Sequence, residues 1–292
     1  MPRALVVGDV MTDIVAQLEG AIAWGSDTPA RIVERPGGSA ATQAVWLARM
    51  GVEVDFVARV GAADVERIAA EFRAERVTPW LSGDPDLPTG RLIALVEPSG
   101  ARSFLTDRGA NDALAFADTP DAVLASADWV HLSGYSFAAP RARAAVLALM
   151  RAAGGTPISI DPGSAAPLRA MGAENFLNWT RGATLLLPNA DEAAALTDLD
   201  DPAEQGAWLA AHYPLVVIKR GAAGAEAFAG AARWTALAAA TPVVDTTGAG
   251  DAFAAAFVAG RLAGEAIETA LLRAVAAGAA ATKFLGGRPL SA

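Results

Sequence analysis

The chain has 292 residues, and its 23 basic side chains against 32 acidic ones give a formal net charge of −9. This acidity argues against a nucleic-acid-binding protein and against docking on an anionic membrane. Hydrophobic residues make up 53% of the chain, which excludes a disordered protein. Cysteine is absent and only two histidines occur, so disulfides and a multi-histidine zinc site are excluded. No apolar run has the length of a signal or membrane-spanning segment, so we expect a cytoplasmic protein.

Short apolar runs alternate with alanine-rich helical stretches along the chain. Residues 5–7 predict a first buried strand, and further strands are predicted at 52–60, 129–132, 157–160, 184–187 and 215–218. Helices are predicted over 39–50 and 64–76. Continuous apolar runs, rather than strict alternation, are typical of a parallel sheet covered on both faces. The order indicates one doubly wound α/β domain over residues 1–292.

Two regions interrupt this order, at residues 14–36 and 79–107. Both are richer in glycine, proline and polar residues, and the second contains a predicted hairpin. We interpret them as lid segments that form a small β-sheet projecting from the main domain. The alternative is two surface excursions without function.

The most informative stretch is Asp-Thr-Thr-Gly-Ala-Gly-Asp at residues 245–251, with a short apolar strand predicted before it and a helix of small residues after it. Glycines at a helix N-terminus let an anion approach the free backbone N–H groups closely. A carboxylate there repels phosphate, so a loop that only binds anions has no use for Asp251. Phosphoryl transfer does, because Asp251 would accept the proton of an attacking hydroxyl while the N–H groups stabilise the transferring group.

Other interpretations of this stretch remain open from the residues alone. Asp251 is a common type of helix N-cap residue, and the glycines could serve close packing. A dinucleotide fingerprint is a third interpretation, but Phe253 occupies its third glycine position. A second helix, predicted over 265–282, also follows where that site needs a strand.

A second motif lies at residues 36–51, where Pro-Gly-Gly opens a predicted helix. The first turn of this helix carries Ser39, Thr42 and Gln43. Backbone N–H groups and short hydroxyl side chains suit a polyhydroxylated ligand. Asp13 follows the first strand, at the carboxyl edge where α/β proteins bind their ligands.

Together the two motifs resemble the PfkB carbohydrate kinase family, also called the ribokinase-like kinases. Residues 245–251 match the family's Asp-Thr-x-Gly-Ala-Gly-Asp signature at every fixed position, and residues 37–51 match its Gly-Gly pair and alanine-rich helix. Weaker matches follow in the right order along nearly the whole chain. The P-loop alternative fails because the chain has no Gly-Lys dipeptide.

The resemblance implies a ribokinase-like αβα sandwich, with a mostly parallel doubly wound sheet and a small β-sheet as a lid over the sugar. It implies ATP as phosphoryl donor with Mg²⁺, Asp251 as the base, and an anion hole made by the backbone of Gly248, Ala249 and Gly250. The remaining residues that it assigns are Asp13, Gly37, Gly38 and Thr42 for the acceptor; Asn189, Gly221 and Gly224 for the nucleotide; Glu192 for Mg²⁺ through water; and Asp245 and Thr247 where some members bind a monovalent cation such as K⁺.

Several single residues keep two interpretations. The spacing of Asn189 and Glu192 is typical of a capping box and also of two groups that face one site. Lys219, one of only two lysines, would lie near phosphate or, as we favour here, at a solvated strand end. Arg108 would reach from the lid toward an acidic substrate or form a surface ion pair.

The departures from the family pattern concern the acceptor. Typical ribokinases carry Asn where this chain has Met11 and Thr42, which argues against ribose itself but not against phosphoryl transfer. We therefore expect ATP-dependent phosphorylation of a small sugar or sugar acid. The alternatives are a nucleoside kinase, with Tyr135 stacking on a ring, and a catalytically silent binding protein. The exposed edges of the lid would allow a homodimer, as in several relatives.

Overall fold

The computed structural model describes residues 1–99, 102–284 and 286–288. Its strands are β1 (Arg3–Val7), β2 (Met11–Leu18), β3 (Ala30–Gly37), β4 (Glu53–Gly61), β5 (Val77–Asp84), β6 (Gly90–Val96), β7 (Arg102–Asp107), β8 (Trp129–Ser133), β9 (Ile158–Asp161), β10 (Leu185–Leu186), β11 (Leu215–Lys219), β12 (Ala225–Ala229) and β13 (Ala232–Ala236). Its helices are α1 (Ser39–Arg49), α2 (Val65–Ala74), α3 (Asp121–Ala125), α4 (Pro140–Ala152), α5 (Ala165–Met171), α6 (Ala173–Trp179), α7 (Ala190–Thr197), α8 (Pro202–Ala210), α9 (Ala249–Leu262) and α10 (Ile267–Ala281).

A large sheet divides the molecule into three layers. Its strand order is β13-β12-β11-β10-β9-β8-β1-β4-β5. The strands from β11 to β5 run parallel, and β12 and β13 are antiparallel at one edge. Helices α1, α2, α9 and α10 pack on one face, and the helices from α3 to α8 pack on the other. The predicted αβα sandwich with a mostly parallel sheet is confirmed.

The central strands show why the sequence favours this arrangement. The side chains of residues 4–7 in β1 are at most 1% exposed, because each face of the strand is covered by one of the two helical layers. A strand buried on both faces needs a continuous apolar run. Because parallel strands end at the same edge of the sheet, the residues that follow β1, β9, β10 and β11 come together there.

A smaller sheet of four strands, in the order β3-β2-β6-β7, stands over that edge. Strands β6 and β7 form the predicted hairpin, although residues 100 and 101 of its turn lie outside the described residues. The segment predicted at 79–107 contributes only its later part to this sheet. Residues 79–84 belong to β5, which pairs in parallel with β4 at the edge of the large sheet.

Helices α9 and α10 pack closely because their contact surfaces are built from small residues. A Cβ added at Gly260 would lie 3.0 Å from the Cβ of Ala270, so the two helices approach closely at this point. The strand predicted just before residue 245 is wrong: Val243 and Val244 are 61% and 58% exposed and belong to no strand. Among the described residues, no helix is long and apolar enough to cross a membrane.

Candidate active site

Two cavities meet at the carboxyl edge of the large sheet. The first, of about 440 Å³, lies between this edge and the small sheet, and the second, of about 590 Å³, lies between the β11–β12 turn and helices α9 and α10. Three of the described residues line both cavities: Lys219, Gly221 and Gly250. The two cavities therefore adjoin at the first turn of α9.

Asp251 lines the first cavity from the first turn of α9. The helix begins after Gly248, whose φ of 75° is the left-handed conformation that glycine adopts readily. Because Gly248 is the N-cap, the interpretation of Asp251 as an N-cap is wrong. Helix α1 begins beside it, and the Ser39 hydroxyl donates a hydrogen bond to Asp251 Oδ1 at 2.7 Å. Two helix N-termini thus face one carboxylate.

The surroundings of Asp251 favour its protonated form more than water does. Burial and, second, the nearby carboxylate of Asp161 together raise its pKa to about 8. The hydrogen bond from Ser39 and the ammonium of Lys219 act in the opposite direction. The carboxyl group therefore titrates close to neutral pH, where a general base is most effective.

The first turn of α1 is held by a carboxylate from another strand end. Asp9, which follows β1, accepts hydrogen bonds from the N–H groups of Ser39 at 3.0 Å and Ala40 at 3.4 Å. These donors have no partner inside the helix, so Asp9 caps α1 from outside. It thereby fixes Ser39 and the Gly-Gly turn relative to the large sheet.

Three of the four residues predicted to bind the acceptor line the first cavity, and the fourth does not. Asp13, Gly38 and Thr42 line the first cavity. Gly37 lies behind them, where an added Cβ would overlap the carboxylate of Asp13. Gly37 is therefore needed for the position of Asp13. Met11 lines the cavity too, and its sulfur accepts a hydrogen bond from Asn111 Nδ2 at 3.3 Å.

Asp13 has an unusual environment for a carboxylate. Its Oδ1 is buried and has no hydrogen-bond partner among the described residues. Burial raises its pKa to about 6, with the charge of Asp9 as a second cause and Arg288 opposing both. A buried acceptor without a donor is destabilising, so this oxygen is suited to receive a donor from a ligand.

Asn189 and Glu192 satisfy both interpretations of their spacing. The Asn189 side chain accepts a hydrogen bond from the Glu192 N–H, and Glu192 Oε2 accepts one from the Asn189 N–H, each at 2.9 Å. This capping box starts α7, and both side chains also line the first cavity. Burial raises the pKa of Glu192 to about 7, against the opposing charge of Lys219.

The second cavity contains the other predicted nucleotide residues. Gly221 and Gly224 line it with φ angles of 55° and 91°, and a Cβ at Gly224 would overlap the carbonyl oxygen of Ala236. Ala249 lines this cavity as well. Gly248 lines neither cavity; its Cα packs against Gly287 near the C-terminus, where a Cβ would not fit.

The two residues predicted for a monovalent cation lie on one short loop. Asp245 is 7% exposed, and its carboxylate accepts hydrogen bonds from the N–H groups of Thr247 at 2.8 Å and Gly286 at 2.9 Å. Both residues line a neighbouring cavity of about 290 Å³ under the small sheet, and Thr247 lines the first cavity as well.

Lys219 is not at a solvated strand end, and that expectation is wrong. Its side chain is 12% exposed, and its ammonium forms a salt bridge with Asp161 at 2.7 Å. Strand β10 between them has only two residues, so the lysine at the end of β11 reaches past it to the end of β9. The signal in the sequence was the rarity of lysine, but no local pattern identifies Asp161 as the partner.

Arg108 and Tyr135 form one wall of the first cavity together. The Arg108 guanidinium lies 5.1 Å from the centre of the Tyr135 ring and also pairs with Asp112 at 3.2 Å. The Tyr135 hydroxyl donates to the carbonyl oxygen of Gly163 at 3.2 Å. Arg108 therefore takes part in an ion pair and faces the cavity at the same time.

Comparison with known proteins supports the family. The sequence model of the pfkB family carbohydrate kinase matches residues 1–291. An ATP-dependent ribose-1-phosphate kinase from Halopiger xanaduensis is 30% identical over 99% of this chain and 94% of its own. Adenosine kinase from Sinorhizobium meliloti superposes with a TM-score of 0.90 at 26% identity, over 99% and 96% of the two chains. A probable sugar kinase from Rhizobium etli does so with a TM-score of 0.89 at 27% identity, over 98% and 94%.

The match to the family model and the similarity to these relatives show that the chain belongs to the pfkB family of carbohydrate kinases. Its class is that of a sugar or nucleoside kinase.

Proposed function

We propose that this kinase transfers the γ-phosphoryl group of ATP to a hydroxymethyl group of a small sugar or sugar acid, with Asp251 as the base. The observation that carries the proposal is the position of Asp251. It lies in the first turn of α9, inside one cavity and beside Gly250, which also lines the other. A proton acceptor and the backbone of Gly250 therefore lie in the same small volume.

The first requirement of the reaction is removal of the hydroxyl proton. The ionised Asp251 accepts it, and the hydrogen bond from Ser39 holds Oδ1 in place. The acceptor oxygen then forms a bond to the γ-phosphorus as the bond to the β–γ bridging oxygen breaks and ADP leaves. A pKa of about 8 makes Asp251 a stronger base than an ordinary carboxylate.

The second requirement is neutralisation of the negative charge on the transferring group. In this proposal the start of α9 forms the anion hole through Gly250, because Gly248 lines neither cavity and the Ala249 N–H already donates to the carbonyl oxygen of Thr246 at 3.3 Å. The first N–H groups of a helix have no partner within it, and the helix dipole adds positive potential there. Donors held in place before the reaction stabilise charge without reorganising.

The second cavity suits a nucleotide base. Glycines and alanines line much of it, together with Phe253, Val275 and Gly278. Small side chains leave room for a flat ring, and Gly221 and Gly224 lie where the phosphates would pass toward Asp251. In this proposal, Asn189 faces the same phosphates from the first cavity.

The side chains at the phosphate end fit Mg²⁺ as a partner of ATP. Glu192 and Asp251 both line the first cavity and carry the hard oxygen donors that Mg²⁺ prefers. The described residues contain no group of three acidic or histidine side chains that could hold a metal alone, so phosphate oxygens and water would complete its coordination. Mg²⁺, when bound, offsets the charge of the phosphates, and Glu192 would contact it through water.

The acceptor would occupy the other end of the first cavity. Asp13, with its free Oδ1, accepts a hydrogen bond from a sugar hydroxyl, and Gly38 and Thr42 complete this wall. Met11 offers no strong hydrogen bond where ribokinases carry Asn. Arg108 supplies a cation in the same cavity, which favours an acceptor with a carboxylate or another acidic group.

A nucleoside acceptor is the second candidate. Tyr135 provides an aromatic ring in the first cavity, and one structural relative is an adenosine kinase. However, the guanidinium of Arg108 already lies 5.1 Å from the centre of this ring. A base that stacked there would have to displace it, so we favour the sugar or sugar acid. A catalytically silent protein is the least favoured, because it has no use for Asp251 beside an anion hole.

A site for a monovalent cation near Asp245 and Thr247 is a further part of the proposal. Asp245 supplies a carboxylate on the loop before α9, but this carboxylate already accepts two backbone N–H groups. A cation such as K⁺ would share those oxygens and use the backbone near Thr247. Activation by KCl but not by an equal ionic strength of tetramethylammonium chloride would support the site.

The test is release of ADP from ATP and Mg²⁺ with a panel of sugars, sugar acids and nucleosides. We expect turnover with a sugar or sugar acid that carries a free hydroxymethyl group, and none with the same compound lacking that hydroxyl. Turnover with nucleosides alone would favour the second candidate. No turnover with any member of a broad panel, despite nucleotide binding, would contradict the proposal.

A further inference from the structure

Lys219 lies where the two cavities meet. Among the described residues it is the only cationic side chain that lines both of them. A Cβ added at Gly250 would lie 3.7 Å from Lys219 Nζ, so the ammonium faces the first turn of α9. Arg108, the other cation of the first cavity, does not line the second. The ammonium is therefore placed where a phosphoryl group would pass from nucleotide to acceptor.

The Lys219 ammonium binds the carboxylate of Asp161, and other hydrogen bonds hold that carboxylate in place. Lys219 Nζ donates to Asp161 Oδ2 at 2.7 Å, and the Gln43 amide donates to the same oxygen at 3.1 Å. Oδ1 of Asp161 accepts the N–H of Gly163 at 3.2 Å. Since an ammonium has three N–H donors, the salt bridge leaves donors available for other oxygens.

A chain of buried hydrogen bonds continues behind Gln43. Its side-chain carbonyl meets His131 Nε2 at 2.7 Å, and His131 Nδ1 meets the Ser159 hydroxyl at 2.7 Å. Because Gln43 uses its N–H group on Asp161, its carbonyl must accept, so Nε2 carries the histidine proton. Burial lowers the pKa of His131 to about 4, so this ring is neutral at pH 7. This series of hydrogen bonds holds Asp161 in place without adding a charge.

Resting on the proposed function above, we propose that Lys219 is a catalytic residue that contacts the transferring phosphoryl group, and that Gln43 and His131 are positioning residues acting through Asp161. As the acceptor oxygen bonds to phosphorus and its proton passes to Asp251, the ammonium stabilises the charge on the phosphoryl oxygens. The bond to the bridging oxygen breaks, and ADP takes the electron pair. Lys219 stays protonated throughout.

A merely structural role is the rival account. In it, Lys219 only balances the carboxylates of Asp161, Glu192 and Asp251, whose charges raise its pKa against burial. The two accounts differ in which nucleotide is affected. A contact to the transferring group affects a triphosphate and not a diphosphate, whereas charge balance affects both alike.

The experiment measures dissociation constants for ADP and for a non-hydrolysable ATP analogue, with Mg²⁺, by calorimetry, alongside kcat. For Lys219→Met we expect the analogue to bind at least about tenfold more weakly, ADP to bind within about twofold of wild type, and kcat to fall about 10²–10³-fold. Lys219→Arg keeps the charge and should recover most of the analogue affinity. Lys283→Met removes the other lysine, which is exposed, and should change nothing.

Equal weakening of ADP and analogue, or no change in either with kcat retained, would overturn the assignment. If Lys219→Met does not fold, the double variant Lys219→Met/Asp161→Asn removes both charges of the pair and must give the same selective loss. If the wild-type protein turns over no acceptor and binds no nucleotide, the proposed function itself fails. A failure confined to the Lys219 variants leaves that function standing.

The positioning role has its own readout. Gln43→Leu should lower kcat and analogue affinity by about threefold to tenfold, with the KM of the acceptor unchanged. Because Gln43 acts through Asp161 and Lys219, adding Gln43→Leu to Lys219→Met should cause little further loss, whereas independent effects would multiply. Multiplying effects would contradict the proposed chain.

Discussion

The basicity of the Asp251 carboxylate depends on its surroundings as much as on its being an aspartate. Burial is the larger cause of its raised pKa, and the adjacent carboxylates follow. Of the residues that the structure describes, five acidic side chains line the first cavity against two basic ones, Arg108 and Lys219. A site of this kind binds cations and polyphosphate–metal complexes more readily than it binds free anions.

A pH profile tests the base at this scale. Only the ionised form of Asp251 accepts a proton, so kcat/KM for the acceptor should rise with pH and level off above a midpoint near 8. Below that midpoint it should fall about tenfold per pH unit. The Ser39 hydrogen bond lowers the pKa of Asp251, so Ser39→Ala should move the midpoint to higher pH. A flat profile between about pH 6 and 8 would contradict the assignment.

The connection between β1 and β2 depends on one amide side chain that lies just after the small sheet. Asn111, which follows β7, accepts the Val10 N–H and donates to the Val10 carbonyl, both at 2.9 Å. It also donates to the carbonyl of Arg108 at 2.8 Å. These bonds link both sheets at the segment that leads to Met11 and Asp13.

Removal of that amide should affect the acceptor more than the nucleotide. Asn111→Ala leaves the buried Val10 groups unpaired, which costs about 1–3 kcal/mol of stability. We expect the KM for the acceptor to rise about tenfold or more while the KM for ATP changes less than about twofold. Steady-state kinetics with each substrate varied in turn measure both. An equal change in the two constants would show that Asn111 supports the whole fold rather than the acceptor end.

Local sequence patterns predict strands well where a continuous apolar run is buried on both faces of the large sheet. The runs at residues 5–7, 129–132 and 215–218 each became a strand because both faces of the large sheet are covered. The strand predicted at Val243 and Val244 is wrong because this apolar pair pairs with none of the described strands. Instead the Val244 N–H donates to the carbonyl of Thr282, at the end of α10.

At the scale of the whole molecule, the parallel sheet explains why the site forms. Residues far apart in sequence meet because parallel strands end at one edge: Asp9 follows β1, and Asp161 and Lys219 are the last residues of β9 and β11. The C-terminal part closes the same region, where the Trp46 indole donates to the carbonyl of Gly287 at 3.1 Å. Motifs in the sequence pointed to Asp251, but pairs such as Lys219 and Asp161 depend on strand order, which no local motif encodes.

The small sheet also leads to a prediction about assembly. Within the described part of the chain, its outer strands β3 and β7 each pair with one neighbour only, and Ile32, Phe104 and Leu105 are 57–64% exposed on it. Unpaired edges with exposed apolar side chains favour association. We expect a homodimer formed through the lid, with about twice the chain mass of 29.7 kDa by light scattering.

Two substitutions test that assembly. Ile32→Glu and Leu105→Lys place charges on the exposed face of the lid and should shift the protein toward the monomer. Leu272→Lys is the matched control, because Leu272 is 54% exposed but lies on α10, outside the lid. A wild-type protein that stays monomeric at about 50 μM, well above the Kd of a stable homodimer, would contradict the prediction.

The most direct measurement is turnover of Asp251→Asn with its nucleotide affinity and stability checked. The account predicts a loss of about 10²–10⁴-fold in kcat with ADP affinity within about threefold of wild type. The pKa of Asp251 is raised from the ordinary value of 3.8 to about 8, so the stability that its protonated form contributes is lost as pH rises between these two values and is absent above them. The variant should therefore melt at the same or a higher temperature than wild type at pH 8. Turnover within tenfold of wild type in such a folded, nucleotide-binding variant would contradict Asp251 as the base.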